Sequence, residues 1–175
     1  MADGHAPAPG TRIQAVVLTV SDGVEAGVRE DTGGAGLAAR VAAAGYEVRR
    51  AAVADEPDAV VAAIRRAAAE GARLVVSTGG TGLGPRDRTP EALRAIAELE
   101  IPGYGEVMRA VGRAFTPLAD LSRSLAVSVG DVLVIAVPGS PTGAIESFDA
   151  VAPLLEHTLD ILAGYTQHRA SDTPV

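Results

Sequence analysis

Three short runs of the sequence are apolar without alternation: residues 13–20 (IQAVVLTV), 73–77 (RLVVS) and 132–137 (VLVIAV). A strand with one face in water alternates apolar and polar residues, so continuous runs indicate strands that are covered on both faces. Such strands are typical of a parallel sheet between two layers of helices. The chain has 175 residues, 47% of them hydrophobic and 21% charged, which fits one folded domain.

The segments between these strands have apolar residues at helical spacing. Residues 32–44 and 57–70 each place apolar residues on one helical face, and Gly45 and Gly71 stand where a glycine commonly ends a helix. A weaker strand, residues 47–53 (EVRRAAV), lies between the two helices. This β-α-β-α-β order requires right-handed crossovers. The sequence therefore predicts a three-layer α/β/α sandwich with a mostly parallel central sheet.

The C-terminal half adds strands of the opposite direction. Residues 125–129 alternate and lead through Gly130-Asp131 into the apolar run 132–137, which predicts an antiparallel hairpin attached to the sheet. A helix is expected to begin at Thr89, as its N-cap, and another of about 20 residues to follow Pro141. We expect a single domain over residues 12–165, with disordered tails at residues 1–11 and 166–175.

Composition excludes several kinds of function. The chain has no cysteine, three histidines and a formal net charge of −7, so thiolate catalysis, disulfides and histidine metal centres are not expected. An acidic domain is a poor match for duplex DNA or an anionic membrane. No apolar run approaches the roughly 20 residues of a membrane-spanning helix, and the first ten residues do not resemble a signal peptide. We expect a cytoplasmic protein without nucleic-acid or membrane partners.

A glycine-rich loop, TGGTGLGPRD at residues 78–87, follows the third predicted strand. In parallel sheets, ligands bind where carboxyl ends of strands meet helix N-termini. The glycines allow backbone amides to approach an anion, while Thr78, Thr81 and Arg86 add donors. Arg86 stands where a Walker A loop needs lysine, and Pro85 where a dinucleotide fingerprint needs its third glycine. The alternative is a flexible turn without function.

Two aspartates, Asp55 and Asp87, each follow a predicted strand at this edge and could face one crevice. Mg²⁺ takes one or two carboxylates together with waters and substrate phosphates, so it needs no histidine or cysteine cluster. The alternative is that each aspartate only caps a helix or forms a turn. Glu106 has two possible roles: it contacts a ligand, or it only interacts favourably with the dipole of the helix that begins near it. Ser122 and Arg123 also have two possible roles: they bind a phosphate, or Arg123 pairs with a carboxylate at the surface.

Taken together, TGGTG, RD, TPEA, PGYGE, LSR and PGSP occur in an order and spacing that resemble the MogA/MoaB family of molybdenum cofactor biosynthesis proteins. The resemblance runs from about residue 12 to 163 and extends to the G domain of gephyrin. It implies a molybdopterin adenylyltransferase that uses ATP and Mg²⁺ and releases pyrophosphate. It also implies a homotrimer, with hexamers in some members, and molybdopterin synthase and the molybdate-inserting enzyme as partners.

The resemblance also assigns residues. The family's two functional aspartates fall on Asp55 and Asp87, which become the implied catalytic and magnesium-binding residues. The residues expected to bind substrate or nucleotide are Ser21, Asp22, Thr78, Gly79, Gly80, Thr81, Gly82, Arg86, Glu106, Ser122, Pro138, Gly139, Ser140 and Pro141.

Some positions depart from the family pattern. Ala54 stands where proline is common before the acidic pair, and Gly23 follows Ser21-Asp22 where threonine or arginine is usual. The compact ending and the PGSP turn are closer to the MoaB branch. Two other functions stay open: a carrier that binds molybdopterin without transferring a nucleotide, and an oligomeric interaction scaffold.

Overall fold

A six-stranded sheet forms the centre of the computed structural model, which describes residues 12–165. The two predicted tails, residues 1–11 and 166–175, lie outside the described residues. The strands are β1 (Gln14–Val20), β2 (Glu47–Val53), β3 (Leu74–Thr78), β4 (Leu99–Glu100), β5 (Leu125–Val129) and β6 (Val132–Val137). The helices are α1 (Asp22–Glu25), α2 (Thr32–Ala43), α3 (Pro57–Ala69), α4 (Thr89–Ile96), α5 (Pro102–Gly112) and α6 (Pro141–Leu162), with a 3₁₀ helix over Pro117–Leu121.

The sheet is mostly parallel, as predicted. Its strand order is β2-β1-β3-β6-β5-β4, and the first four strands of that order pair in parallel. Strand β5 runs antiparallel to β6 through a turn at Gly130, whose φ of 59° favours glycine. Strand β4 adds a short antiparallel edge. The predicted hairpin is therefore confirmed, and the carboxyl ends of β1, β2, β3 and β6 share one edge.

Two separate cores lie on the two faces of the sheet. Val17 of β1 points into a core that also contains Leu37 of α2 and Phe148 of α6, all fully buried. Its neighbour Leu18 points into the opposite core with Ile64 of α3. Because successive side chains of a strand point to opposite faces, a strand between two helix layers is apolar at every position. The predicted three-layer α/β/α sandwich is confirmed.

The start of helix α4 differs from the prediction. Arg88 occupies the N-cap position and Thr89 is the first helical residue. The Thr89 hydroxyl is buried and donates to the carbonyl oxygen of Gly79 at 3.0 Å. This residue therefore fastens the glycine loop to the helix that follows it. Within the described residues, no helix has both the length and the apolar character needed to cross a bilayer.

Candidate functional site

Four loops meet at the edge formed by the carboxyl ends of the parallel strands. Hydrogen bonds tie neighbouring loops together, since the Thr78 hydroxyl donates to the carbonyl of Pro138 at 2.8 Å. The amide of Ser21 likewise donates to the carbonyl of Val53 at 2.9 Å. The sheet thus presents the loops that follow β1, β2, β3 and β6 as one surface.

A cleft of about 450 Å³ opens between these loops, and we call it the aspartate cleft. Its polar lining comes from every one of the four loops and from the start of α2. Of the residues predicted to bind substrate, it brings together Ser21, Thr78, Gly79, Gly80, Gly139 and Pro141, and it adds Asp55, the predicted catalytic and magnesium-binding residue. It also includes Arg29 and Asp31, which sequence reasoning missed. Arg29 is a single charge in a loop, and Asp31 has the position of an N-cap directly before α2, which does not by itself indicate a site.

Glycines allow the loops of the aspartate cleft to approach each other through their backbones. Gly79 and Gly80 have φ values of 106° and 66°, a region that side chains rarely adopt. A Cβ on Gly79 would collide with the carbonyl oxygen of Val20, and one on Gly139 would lie 3.3 Å from the Gly79 Cα. Two of the loops therefore pack with no side chain between them, which leaves backbone groups at the floor of the cleft.

Asp22 and Asp55 hold the loops after β1 and β2 together by reciprocal hydrogen bonds. The amide of Asp22 donates to Asp55 Oδ2 at 3.1 Å, and the amide of Asp55 donates to Asp22 Oδ1 at 2.9 Å. The bond from the Asp55 amide lowers the pKa of Asp22 below its ordinary value, partial burial opposes this, and Arg86 adds to it. In the described residues, the second oxygen of Asp55 accepts no hydrogen bond.

Arg86, predicted to stand beside a phosphate, forms an ion pair with Asp22 and lies 3.9 Å from a carboxylate oxygen of Glu56. The glycine loop is thereby connected to the loops after β1 and β2. Arg86 does not line the aspartate cleft. Its guanidinium links the loops through these ion pairs instead.

Asp87 lies apart from Asp55. Its Oδ2 accepts the amide of Gly84 at 2.7 Å, which is the turn-forming role that the sequence left open. Asp87 lines a shallow depression of about 320 Å³ together with Arg88 and Arg123. The structure therefore places the two aspartates in different surface depressions.

Arg123 ties the glycine loop to the segment before β5. It donates to the carbonyl oxygen of Gly82 at 2.8 Å and to that of Asp87, and it pairs with Glu91. The alternative of surface pairing, left open for Arg123 by the sequence, is thus the one that the structure shows. Thr81 is buried beside it, and its carbonyl accepts the Arg123 amide at 2.9 Å.

A second cleft, of about 230 Å³, lies between α5, the 3₁₀ helix and the start of α6. We call it the helical cleft. Its lining is mostly apolar, with polar groups from Arg109, Ser122 and Glu146. Arg109 is held by the carbonyl oxygen of Ser124 at 3.1 Å, and the hydroxyls of Ser122 and Ser124 lie 2.8 Å apart. Sequence reasoning found Ser122 but not the cleft.

The turn Pro138–Pro141 lies between the two clefts. Pro138 and Ser140 line the helical cleft, whereas Gly139 and Pro141 line the aspartate cleft. A ligand that occupied both clefts would therefore pass along this turn. Glu106 is exposed, lies beyond the first turn of α5 and lines neither cleft.

A family model described as a probable molybdopterin binding domain matches residues 16–157. The chain belongs to this family. Residues 16–157 contain every residue of the two clefts, so the likeness covers the whole site. The family resemblance carried by the sequence motifs is confirmed.

Relatives of known name support the same family. A molybdenum cofactor biosynthesis bifunctional protein of Synechococcus elongatus is 43% identical over 157 residues, and the match covers 86% of this chain and 47% of that protein. The chain thus spans about half the length of the bifunctional relatives that it matches. A molybdopterin adenylyltransferase of Helicobacter pylori is 36% identical over 154 residues, which cover 85% of this chain and 86% of that enzyme.

Solved structures of the molybdopterin-binding family share the fold. The crystal structure of the molybdopterin biosynthesis enzyme MoaB from Thermus thermophilus has 44% sequence identity and a TM-score of 0.80. The likeness covers 87% of this chain and 97% of that one. The whole architecture, with its mostly parallel sheet and antiparallel pair, is therefore common to this chain and its relatives.

Proposed function

We propose that this chain is a molybdopterin adenylyltransferase of molybdenum cofactor biosynthesis, which joins the phosphate of molybdopterin to the adenylyl group of ATP. An oxygen of the molybdopterin phosphate forms a bond to the α-phosphorus of ATP. The bond from that phosphorus to the bridging oxygen of the β-phosphate breaks, and pyrophosphate leaves. The observation that carries the proposal is the aspartate cleft, which Asp55 lines together with the glycines of the loops after β3 and β6.

The donor set of the aspartate cleft fits Mg²⁺. One Asp55 oxygen accepts the Asp22 amide at 3.1 Å, and the other makes no hydrogen bond within residues 12–165. Magnesium takes one or two carboxylates and completes its shell with waters and phosphate oxygens, so Asp55 suffices as its main protein ligand. The ion would neutralise phosphate charge as the nucleophile approaches. We also propose Asp87 as a second magnesium-binding carboxylate. It lies in the separate depression beside Arg88 and Arg123, so it would meet the ion or the phosphates from outside the aspartate cleft, and only its Oδ2 is engaged, by Gly84.

No residue of the chain has to act as a covalent nucleophile in this reaction. Two anions must be brought together in line, so positioning and charge stabilisation are what the protein supplies. We assign the nucleotide phosphates to the backbone groups of Gly79 and Gly80. The remaining predicted binding residues of the glycine loop, Thr81, Gly82 and Arg86, act by holding that loop in place.

We assign the pterin to the helical cleft. A pterin is a flat ring with a polar edge, and the mostly apolar lining with Ser122, Arg109 and Glu146 suits both parts. The Pro138–Pro141 turn then brings the phosphate end of the pterin toward the nucleotide in the aspartate cleft. This arrangement gives each cleft one substrate and places the reacting phosphates between them.

The proposal includes a homotrimer, with a hexamer as the alternative assembly. Large apolar side chains are exposed near the helical cleft, and Phe115 and Leu118 have exposed fractions of 66% and 67%. Val111 and Leu121 extend this patch with 39% and 53%. Exposed apolar patches commonly mark contacts between subunits. A cytoplasmic location, and molybdopterin synthase and the molybdate-inserting enzyme as partners, belong to the same proposal.

The decisive experiment is to incubate the purified chain with molybdopterin, ATP and Mg²⁺ and to detect products by mass spectrometry. We expect adenylylated molybdopterin and an equal amount of pyrophosphate, both lost when EDTA removes the metal. Binding of molybdopterin without product would favour the carrier function instead. If the protein neither binds nor converts molybdopterin, the remaining function is that of an interaction scaffold.

A further inference from the structure

The aspartate cleft has one basic side chain among the described residues that line it. That side chain is Arg29, whereas Glu30, Asp31 and Asp55 are acidic. A cleft with three carboxylates repels phosphate unless cations are present. Arg29 is therefore the side chain of the lining that can attract an anion into the cleft.

The guanidinium of Arg29 is held at the wall of the cleft. Its Nη2 donates to the hydroxyl oxygen of Ser21 at 2.8 Å. The chain reverses after α1, and the amides of Val28 and Arg29 both donate to the carbonyl of Gly23, at 3.0 and 2.8 Å. The side chain of Arg29 crosses Gly23, where a Cβ would lie 3.5 Å from that of Arg29. The arginine therefore passes Gly23 at ordinary van der Waals distance on its way to Ser21.

Two other arginines beside this cleft are occupied by carboxylates. Arg86 pairs with Asp22, and Arg50 pairs with Asp31 at 2.6 Å. Arg29 forms no ion pair with any residue in the range 12–165, and its single hydrogen bond leaves its remaining N–H groups available. Ser21 accepts that bond through its oxygen and keeps its own proton as a donor.

We infer that Arg29, together with the Ser21 hydroxyl, binds a phosphate group of the substrate in the aspartate cleft. A guanidinium matches phosphate through two parallel N–H donors, and bonds of this kind are stronger than those between neutral groups. This inference rests on the proposed function for the identity of the substrates. It adds a cationic binding residue to a site that otherwise depends on backbone and metal.

The test compares Arg29→Gln and Arg29→Lys with the wild type by isothermal titration calorimetry. Arg65→Gln is the matched control, because Arg65 is exposed on α3 and forms no ion pair within the described residues. Three probes are titrated separately in the presence of Mg²⁺: ATP, inorganic pyrophosphate and molybdopterin. We expect Arg29→Gln to weaken binding about tenfold, either of ATP and pyrophosphate or of molybdopterin, and Arg65→Gln to leave all three affinities unchanged.

The pattern across the probes identifies the source of the phosphate. A loss for ATP and pyrophosphate assigns Arg29 to the nucleotide, and a loss for molybdopterin alone assigns it to the terminal phosphate of the pterin. Arg29→Lys keeps the positive charge but lacks the two parallel N–H donors of the guanidinium. Its affinity for the affected probe should therefore fall between those of the wild type and Arg29→Gln. In the transfer reaction, the KM of the affected substrate should rise about tenfold while kcat changes less than about twofold.

The inference is overturned if the Arg29→Gln protein binds all three probes as tightly as the wild type, or if the wild type binds none of them. A wild type that binds ATP but forms no product contradicts the proposed transferase, while the binding data still decide the role of Arg29. An equal loss in Arg29→Gln and Arg29→Lys, with a lowered urea midpoint in both, would show a structural role instead.

Discussion

The hydroxyl of Thr19 lies 3.1 Å from both carboxylate oxygens of Asp31 and donates to them. The same carboxylate accepts the amide of Gly34 at 2.9 Å and pairs with Arg50 at 2.6 Å. One side chain therefore joins the end of β1, the start of α2 and strand β2 beside the aspartate cleft. Burial alone would raise the pKa of Asp31, but hydrogen bonds from Arg50, Gly34 and Thr19 lower it below the ordinary value.

We predict that Gly34→Ala destabilises the protein by about 1 to 3 kcal/mol, since a Cβ has no space there. It would lie 2.6 Å from Asp31 Oδ1 and still closer to the Thr19 hydroxyl. The matched control is Gly36→Ala in the same helix, where a Cβ would make an ordinary 3.7 Å contact with Ile145. Gly36→Ala should stabilise by about 0.5 to 1 kcal/mol. Urea unfolding measures both, and equal effects would contradict the prediction.

The Asp31 network should make stability depend on pH. The folded-state pKa of Asp31 lies below 3.8, the ordinary value. Its stabilisation is therefore fully present above 3.8 and is lost as the pH falls through the lower folded-state pKa. At pH 7, Asp31→Asn should lower the free energy of unfolding by about 1.5 to 3 kcal/mol, and this difference should shrink in stronger acid.

Unfolding by urea at neutral and acidic pH measures this difference. Asp149→Asn is the control, because Asp149 forms an exposed pair with Arg40 and should change stability by less than about 1 kcal/mol. A difference between Asp31→Asn and the wild type that stays constant into acid would rule out the charge of Asp31 as its origin.

Much of the fold could be predicted because its signals are local. The continuous apolar runs of β1, β3 and β6 identify strands buried on both faces, and a glycine turn identifies the hairpin. Strand β4 was not predicted, since two exposed residues, Leu99 and Glu100, carry no pattern. The same holds for α1 and the 3₁₀ helix, which are too short to show helical periodicity.

The site was predictable by position but not by contact. The topology rule places Asp55 and the glycine loop at one edge, and both are there. Which partner each side chain takes depends on residues elsewhere in the sequence: Arg86 pairs with Asp22, and Arg29 bonds to Ser21. The helical cleft combines three segments between residues 108 and 147, and no sequence motif indicates that these segments come together.

We predict that Asp55→Asn lowers the rate of adenylylation at least about a hundredfold, because it removes the charge that would hold Mg²⁺ against the phosphates. The amide can still accept the bond from the Asp22 amide, so the fold should persist. Asp58→Asn is the control, since Asp58 is an exposed acidic residue in the first turn of α3. An active Asp55→Asn protein would remove Asp55 from the proposed site.

For Asp87→Asn we expect a loss of the same order, at least about a hundredfold. The asparagine oxygen can keep the 2.7 Å bond from the Gly84 amide, so the turn is preserved and only the charge is removed. The measurement is product formation over a range of Mg²⁺ concentrations. A wild-type rate would restrict Asp87 to its role in the turn.

The proposed trimer predicts the effect of a charge in the exposed patch. Phe115→Glu should shift the sedimentation coefficient toward that of a monomer, since Phe115 is 66% exposed in one chain and would be buried between subunits. Leu99→Glu is the control, at a residue of similar exposure, 61%, outside the patch. A wild type that sediments as a monomer would contradict this part of the proposal.

The two open edges of the sheet also affect how copies of this chain can meet. Strand β2 presents the charged residues Glu47, Arg49 and Arg50 along one edge, and β4 offers only two residues at the other. Charges and very short strands prevent one sheet from extending into the next. Copies of the chain are thereby discouraged from stacking edge to edge into filaments, even at high concentration. Any closed assembly would therefore form through side-chain surfaces and not by extension of the sheet.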